Sequence, residues 1–294
     1  MDLKEYQASL RTMAYIILLT AVNYFIPFLS MAVILLWPVP IVYLVQKEDS
    51  GRVISVIAIT ALLNGLLFGT FMGLMTVIGF GLVGFIIGNV IKENVSPLKT
   101  LITSVLAVII SQALIVYLSG TMLNLDYQSI VTHLMHSLSG EFEQQSVEQL
   151  LQAQLNLIKY IFPALLVISA TITGILNYYL SAWYLRRKGL NIELYKSVSK
   201  WYLPRWPISI LIVVSLLMNS NLFFTNLTIF LFFLAFLQGF AVLMYYLSTR
   251  NSSFLLKFFM LFLIIIVPVI PMILILIGLL DFWFKFRKLE DQPA

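Results

Sequence analysis

Apolar and polar residues do not alternate along this chain. They fall into long uncharged runs separated by short charged turns, which is the pattern of helices that cross a bilayer. Thr12 to Val45 runs for about 34 residues without a charge, too long for a single crossing of about 20. Pro27 and the Trp37-Pro38-Val39-Pro40 cluster supply the breaks, so the pattern predicts one span from about Thr12 to Pro27 and a shorter one from about Leu29 to Val45, closed by the polar turn Lys47 to Arg52. Val53 to Ile91 is again uncharged for about 39 residues and predicts a second hairpin. Leu101 to Leu118 follows, then Tyr160 to Tyr184, bent near Pro163, where the missing N–H opens the hydrogen-bond ladder.

Three further stretches close the chain: Ile208 to Met218, Leu222 to Leu247 and Phe254 to Phe284. Pro268 and Pro271 interrupt the last, which ends in Lys285, Arg287 and Lys288. One continuous span would carry those charges across, whereas two half-spans would return them; the pattern leaves both open. Asp281, four residues before Lys285, has the spacing of an interfacial i,i+4 pair. The fold class is all-α, a polytopic transmembrane bundle of about eight to ten hydrophobic segments.

Composition agrees. The chain has 294 residues, 61% hydrophobic and 11% charged, where a soluble domain is nearer a quarter charged. All five Trp, at 37, 183, 201, 206 and 283, stand beside charges, Pro or loop signals, the distribution of an interfacial belt. Cysteine is absent, which removes thiolate chemistry and cysteine-ligated metals. The net charge of +5 comes from residues flanking the spans and points to the lipid bilayer, not to nucleic acid. The first apolar run continues to about Val45, so it is expected to stay in the mature protein.

Charge sign predicts orientation. From Arg186 to Pro207 six cations (Arg186, Arg187, Lys188, Lys196, Lys200, Arg205) oppose one acid, Glu193. The positive-inside rule places this loop, and by counting the N-terminus, in the cytoplasm of a cell-membrane protein. Residues 120–156 carry Asp126, Glu141, Glu143 and Glu148 without Lys or Arg and belong outside, as two amphipathic helices lying on the membrane or over the bundle. The organisation is a six-span bundle over 1–186 with the outer segment 120–156, a basic cytoplasmic loop over 187–207, and a helical extension over 208–294.

Few residues offer chemistry. Seven of the 14 glycines lie between Val53 and Ile91; Gly65, Gly69 and Gly73, then Gly84 and Gly88, recur every four residues and predict close helix packing. Asn23, Asn64 and Gln112 each lie 12 or 13 residues past a cation that opens a span, Arg11, Arg52 and Lys99. A rise of 1.5 Å per residue puts all three amides roughly 18 to 20 Å from the inner boundary. With Thr60 and Ser111 they predict either helix-to-helix hydrogen bonds or an outward-facing polar site for a neutral or weakly polar solute. His133 and His136 share a helical face, but no third ligand is set, so no metal site and no cofactor are predicted. No nucleotide-binding, nucleophile-elbow or metalloprotease motif is present, and no enzyme is expected.

The Gly-rich hairpin ending in Lys92 and Ser96-Pro97-Leu98, the Trp201-Tyr202-Leu203-Pro204-Arg205-Trp206 entry, Leu237-Gln238-Gly239-Phe240-Ala241 and Gly278-Leu279-Leu280-Asp281-Phe282-Trp283-Phe284 together resemble the YybS family of multi-pass bacterial membrane proteins. The part from about Thr12 to Arg186 is similar in layout to the S components of energy-coupling-factor vitamin transporters. That resemblance implies a small bundle that binds a solute from outside and docks on a coupling subunit. The AxxxA docking spacing of that group is absent; Ala14 and Ala21 are seven apart. Two functions are expected: binding or transport of a small solute, or a scaffold that recruits a membrane or cytoplasmic protein through Arg186, Arg187, Lys188, Trp201 and Trp206, which equally suit lipid contact.

Overall fold

A computed structural model describes residues 7–122, 144–218, 221–250, 252–284 and 286–287; within 144–152 only the backbone is described. The described residues are helical with short connections and no strand. Among the described residues seven helices are long and apolar enough to cross a membrane, or up to eight if one bent pair is counted as a span. The chain is a multi-pass membrane protein. His133, His136 and the acids at 126, 141 and 143 lie outside the described residues.

Two compact units are present, one of residues 1–156 with 169–195, the other of 157–168 with 196–294. Residues 157–168 of the helix that holds Pro163 go with the second unit, and the start of the basic loop, to residue 195, goes with the first.

In the first unit, α1 (Gln7–Phe25) stops before Pro27, and α2 (Ser30–Leu36) and α3 (Pro38–Lys47) form the second crossing, with Pro38 at the first helical position, where its missing N–H costs nothing. Asp49 caps α4 (Ser50–Phe68) by accepting from the Arg52 N–H at 3.2 Å. Gly69 then breaks the helix: its φ of 97° is open to glycine and costly for other residues. A Cβ placed there would meet nothing within 4 Å, so Gly69 is a hinge and not a packing position. The return crossing is α5 (Thr70–Met75), a π-helical turn Thr76–Gly81 and α6 (Leu82–Lys92). Gly84 and Gly88 of α6 lie against Ile41 and Val45 of α3, and Gly73 lies against Gly65. α7 (Pro97–Met122) and the 44-residue α8 (Gln144–Arg187) complete the set. Gly189, with φ 83°, ends α8 in a Schellman arrangement, Leu190 N–H to Leu185 O at 3.1 Å and Gly189 N–H to Arg186 O at 3.0 Å.

Trp37 departs from the belt. It is 0% exposed, its indole N–H donates to Ile16 O at 3.3 Å, and it packs with Ile16, Ile41 and Phe80. The two prolines that follow it open a helix inside the crossing, so it sits in the core rather than at an interface. Trp183, Trp206 and Trp283 are more than half exposed.

In the second unit, α9 (Arg205–Leu217) and α10 (Leu222–Thr249) pack around Ile208, Leu231, Ala235 and Phe282. Asn226 repairs the ladder broken at Pro163. Its amide donates to Tyr160 O at 2.9 Å and accepts from Ala164 N–H at 2.8 Å, so it is inserted between the two groups an unbroken helix would pair directly. α11 (Phe254–Ile266) and α12 (Val269–Phe284) meet at 106° beside Pro268. The 28 residues of α10 span about 42 Å, whereas the 13 and 16 residues of α11 and α12 reach only about 20 and 24 Å. Gly239 and Gly278 bring α10 and α12 into backbone contact, and the Tyr246 hydroxyl donates to Phe286 O at 3.1 Å. The two helices therefore run parallel and end together. The chain leaves α10 and returns to the same end: two half-spans, not one crossing.

Candidate functional site

The ends of α3, α6 and α8 and the starts of α1, α4 and α7 gather Arg11, Lys47, Arg52, Lys92, Lys99, Arg186, Arg187 and Lys188 at one end of the first unit. Lys92 donates to Val45 O and Glu48 O, both at 2.8 Å, so an ammonium caps the α3 carbonyls. Arg52 pairs with Glu48 at 2.6 Å.

Beyond Gly189 the chain folds back beneath this end. Leu190 and Ile192 pack against the cluster of Val42, Val83, Ile87 and Leu185. The Arg186 Nε–H donates to Ile192 O at 2.7 Å, and the Tyr195 N–H donates to the Tyr178 hydroxyl at 3.0 Å. This strap borders a cavity of about 420 Å³. Asn94, in the left-handed conformation with φ 54°, Ser96, and Pro97 and Thr100 at the start of α7 line one side. Tyr178, Arg186, Asn191 and Glu193 line the other.

The hydrogen-bonding capacity follows from these contacts. Tyr178 accepts from the strap and keeps its own proton to donate. Arg186 spends Nε on Ile192 and keeps its terminal amino groups. The start of α7 adds the positive end of the helix dipole. One cation, one carboxylate and several neutral donors and acceptors suit a small polar solute carrying both kinds of group.

The amides lie elsewhere. Asn64 is fully buried and donates to the hydroxyls of Thr20 at 2.9 Å and Thr76 at 2.8 Å, tying α4 to α1 and to the π-helical turn. Gln112 accepts from the Ser169 hydroxyl at 3.0 Å on α8. Ser111 donates to Ile78 O and Thr60 to Val56 O. Asn23 is half-buried on α1. The structure thus puts Asn64 and Gln112 in separate helix contacts, and none of the five lines the cavity.

Among the loop cations, the Arg187 guanidinium lies 4.4 Å over Trp183, Lys188 is 5.4 Å over Tyr184, and Arg205 is 5.5 Å from Trp206. The Trp201 indole donates to Lys196 O at 2.9 Å.

The strap and Tyr178 were missed by sequence reasoning, although Gly189 after three cations is a helix-stop signal that could have located the fold-back. A buried charged cluster in the second unit was missed as well. Asp281 and Arg287 pair at 3.0 Å with both side chains 1% exposed. Gln238 donates to the same carboxylate at 2.7 Å and accepts from Leu203 N–H at 3.2 Å, while Arg287 also donates to Ser199 O at 3.0 Å. Lys285, the expected i,i+4 partner of Asp281, lies outside the described residues.

A protein-family model described as a predicted membrane protein, DUF2232, matches residues 13–282. No curated protein matches the chain, and no solved structure does.

Proposed function

From the premise that the chain belongs to the DUF2232 family of predicted membrane proteins, we propose that it binds a small polar solute in the cavity beneath the strap 189–195. The supporting observation is the cavity itself: about 420 Å³ with Asn94, Tyr178, Arg186 and Asn191 converging on it, the size and mixed polarity of small-molecule sites. Among the described residues its lining offers one carboxylate, Glu193, and one guanidinium, Arg186, with no His or Lys, which supports holding a ligand over transforming it. The likeness to S components and the YybS layout belong to this reading, in which the first unit is the solute-holding part of a transport-related protein.

By the positive-inside rule the basic end is the cytoplasmic one. The seat then lies at the inner end, and Asn64 and Gln112 act as helix-packing groups. Arg187 on Trp183 and Arg205 beside Trp206 serve as lipid headgroup contacts, not as a docking surface for a soluble protein.

Native mass spectrometry of the full chain in mild detergent tests the reading, together with a thermal-stability screen of amino acids, nucleosides and sugars. A retained or stabilising small molecule is expected, lost in Tyr178→Phe and Asn191→Ala and kept in Asn64→Ala. No retained mass and no stabilising compound, or loss in Asn64→Ala with the cavity variants unaffected, overturns it.

A further inference from the structure

A second cavity at the basic end has a different chemistry. It measures about 260 Å³ and is lined by α1 at Gln7, Arg11, Thr12 and Tyr15, by α3 at Tyr43, and by Tyr184 and Lys188 at the end of α8. Two cations from elements distant in sequence face it, and among the described residues none that lines it is acidic. We propose that this cavity binds a phosphate group.

Among the described residues Arg11 has no ion pair or hydrogen-bonding side-chain partner, and Lys188 contacts only the ring of Tyr184, 5.4 Å below its ammonium. Two like charges held at one notch repel unless an anion joins them. A guanidinium offers a planar fork that takes two oxygens of one phosphate, and an ammonium adds a point charge. The walls are stiff. Tyr43 and Tyr184 meet edge to face at 5.7 Å and 88°, and Thr12 is buried beneath them. Their phenol hydroxyls and that of Tyr15 are further donors to phosphate oxygens. Lys47, 6.0 Å from the Tyr43 ring, adds positive potential from the side. The strap cavity differs in kind, since Glu193 there opposes its single guanidinium.

A phosphate can reach this notch on a lipid or free in solution. The lipid source is favoured by the adjoining surface of α1, where Leu18, three residues beyond Tyr15 on the same face, is 59% exposed. Acyl chains would lie along these residues with the headgroup at the tyrosine level, the depth at which such rings collect.

The test uses the full chain in a non-ionic detergent and reads its thermal midpoint against dioctanoyl phosphatidic acid, dioctanoyl phosphatidylcholine and inorganic phosphate. Phosphatidic acid is expected to raise the midpoint saturably. R11Q/K188Q should weaken that binding at least tenfold, while K99Q, which removes a cation at the same end but outside the notch, should leave it within twofold. A shift with phosphatidic acid and none with inorganic phosphate identifies the lipid source; equal shifts identify a soluble phosphate. The proposal is overturned if R11Q/K188Q binds as the parent does, if K99Q loses as much, or if no phosphate compound shifts the midpoint. Should the double variant fail to fold, R11Q and K188Q singly carry the same comparison. None of these outcomes depends on the strap cavity.

Discussion

Arg287→Gln removes one charge from the Asp281 cluster and leaves the other buried. In the parent, the carboxylate takes the Arg287 guanidinium at 3.0 Å and the Gln238 amide at 2.7 Å, with both charged side chains 1% exposed. After substitution Asp281 keeps, among the described residues, the neutral amide alone. Breaking a buried pair by removing one partner costs about 3–5 kcal/mol, because the remaining charge has neither water nor counter-charge. That is about two to three and a half decades in the unfolding equilibrium constant. Adding Asp281→Asn removes the stranded charge, so the double variant should recover about 2 kcal/mol or more of the loss, as coupled neighbours do.

Denaturing-detergent titration of the four proteins in mixed micelles measures the cycle. A second readout is local. Arg287 also holds Ser199 O at 3.0 Å, and the chain has no cysteine, so Ser199→Cys gives a single reporter. Its maleimide labelling should speed up when Arg287→Gln is added and slow again with Asp281→Asn. A single variant within about 0.5 kcal/mol of the parent, or strictly additive effects, would refute the claim that the pair is an energetically coupled lock.

Gly278→Ala should be strongly destabilising, because a Cβ there would meet the Ala235 carbonyl of α10; Gly120→Ala on α7, with nothing within 4 Å, should be neutral or gain up to about 1 kcal/mol in the same titration. Asn226→Leu strands Tyr160 O and Ala164 N–H beside Pro163 and should cost about 1–3 kcal/mol for each group it leaves without a partner; a loss below about 0.5 kcal/mol would show that the break is satisfied some other way. Asp49 is held below the usual carboxylate range by the Arg52 N–H it accepts. A depressed carboxyl stabilises the fold above its ordinary pKa and loses that contribution as pH falls through its lowered value. Asp49→Asn should therefore lower the thermal midpoint at neutral pH, with the gap closing as pH falls below about 4; a gap that persists in acid would refute the capping account.

Local signals in the chain account for much of the helical layout. Pro27 and Pro38 set the ends of α1 and α3, Asp49 opens α4, and the apolar run from Val53 to Ile91 is folded into a hairpin at Gly69. Each depends on a few adjacent residues, through a missing N–H, a cap or a positive φ. The polar groups were less legible. Equal depth suggested one site for Asn23, Asn64 and Gln112, yet depth leaves azimuth undetermined, and only packing showed Asn64 turned to Thr20 and Gln112 to Ser169. Trp37 looked like an anchor because its neighbours in sequence are prolines; its neighbours in space are Ile16 and Phe80.

By itself the sequence determined that this is a helical protein of the membrane and where its helices begin and break, because span length, proline and charged turns act over a few residues. The tertiary structure alone decided which polar groups meet. Asn64 finds Thr20 across 44 positions, Gln238 finds Asp281 across 43, and Arg287 finds Ser199 across 88. It also decided that α11 and α12 return to the end where α10 finishes, since parallel packing at Gly239 and Gly278 fixes a direction that two prolines leave open. Such pairings are chosen by how helix faces fit in three dimensions, and no local pattern encodes them.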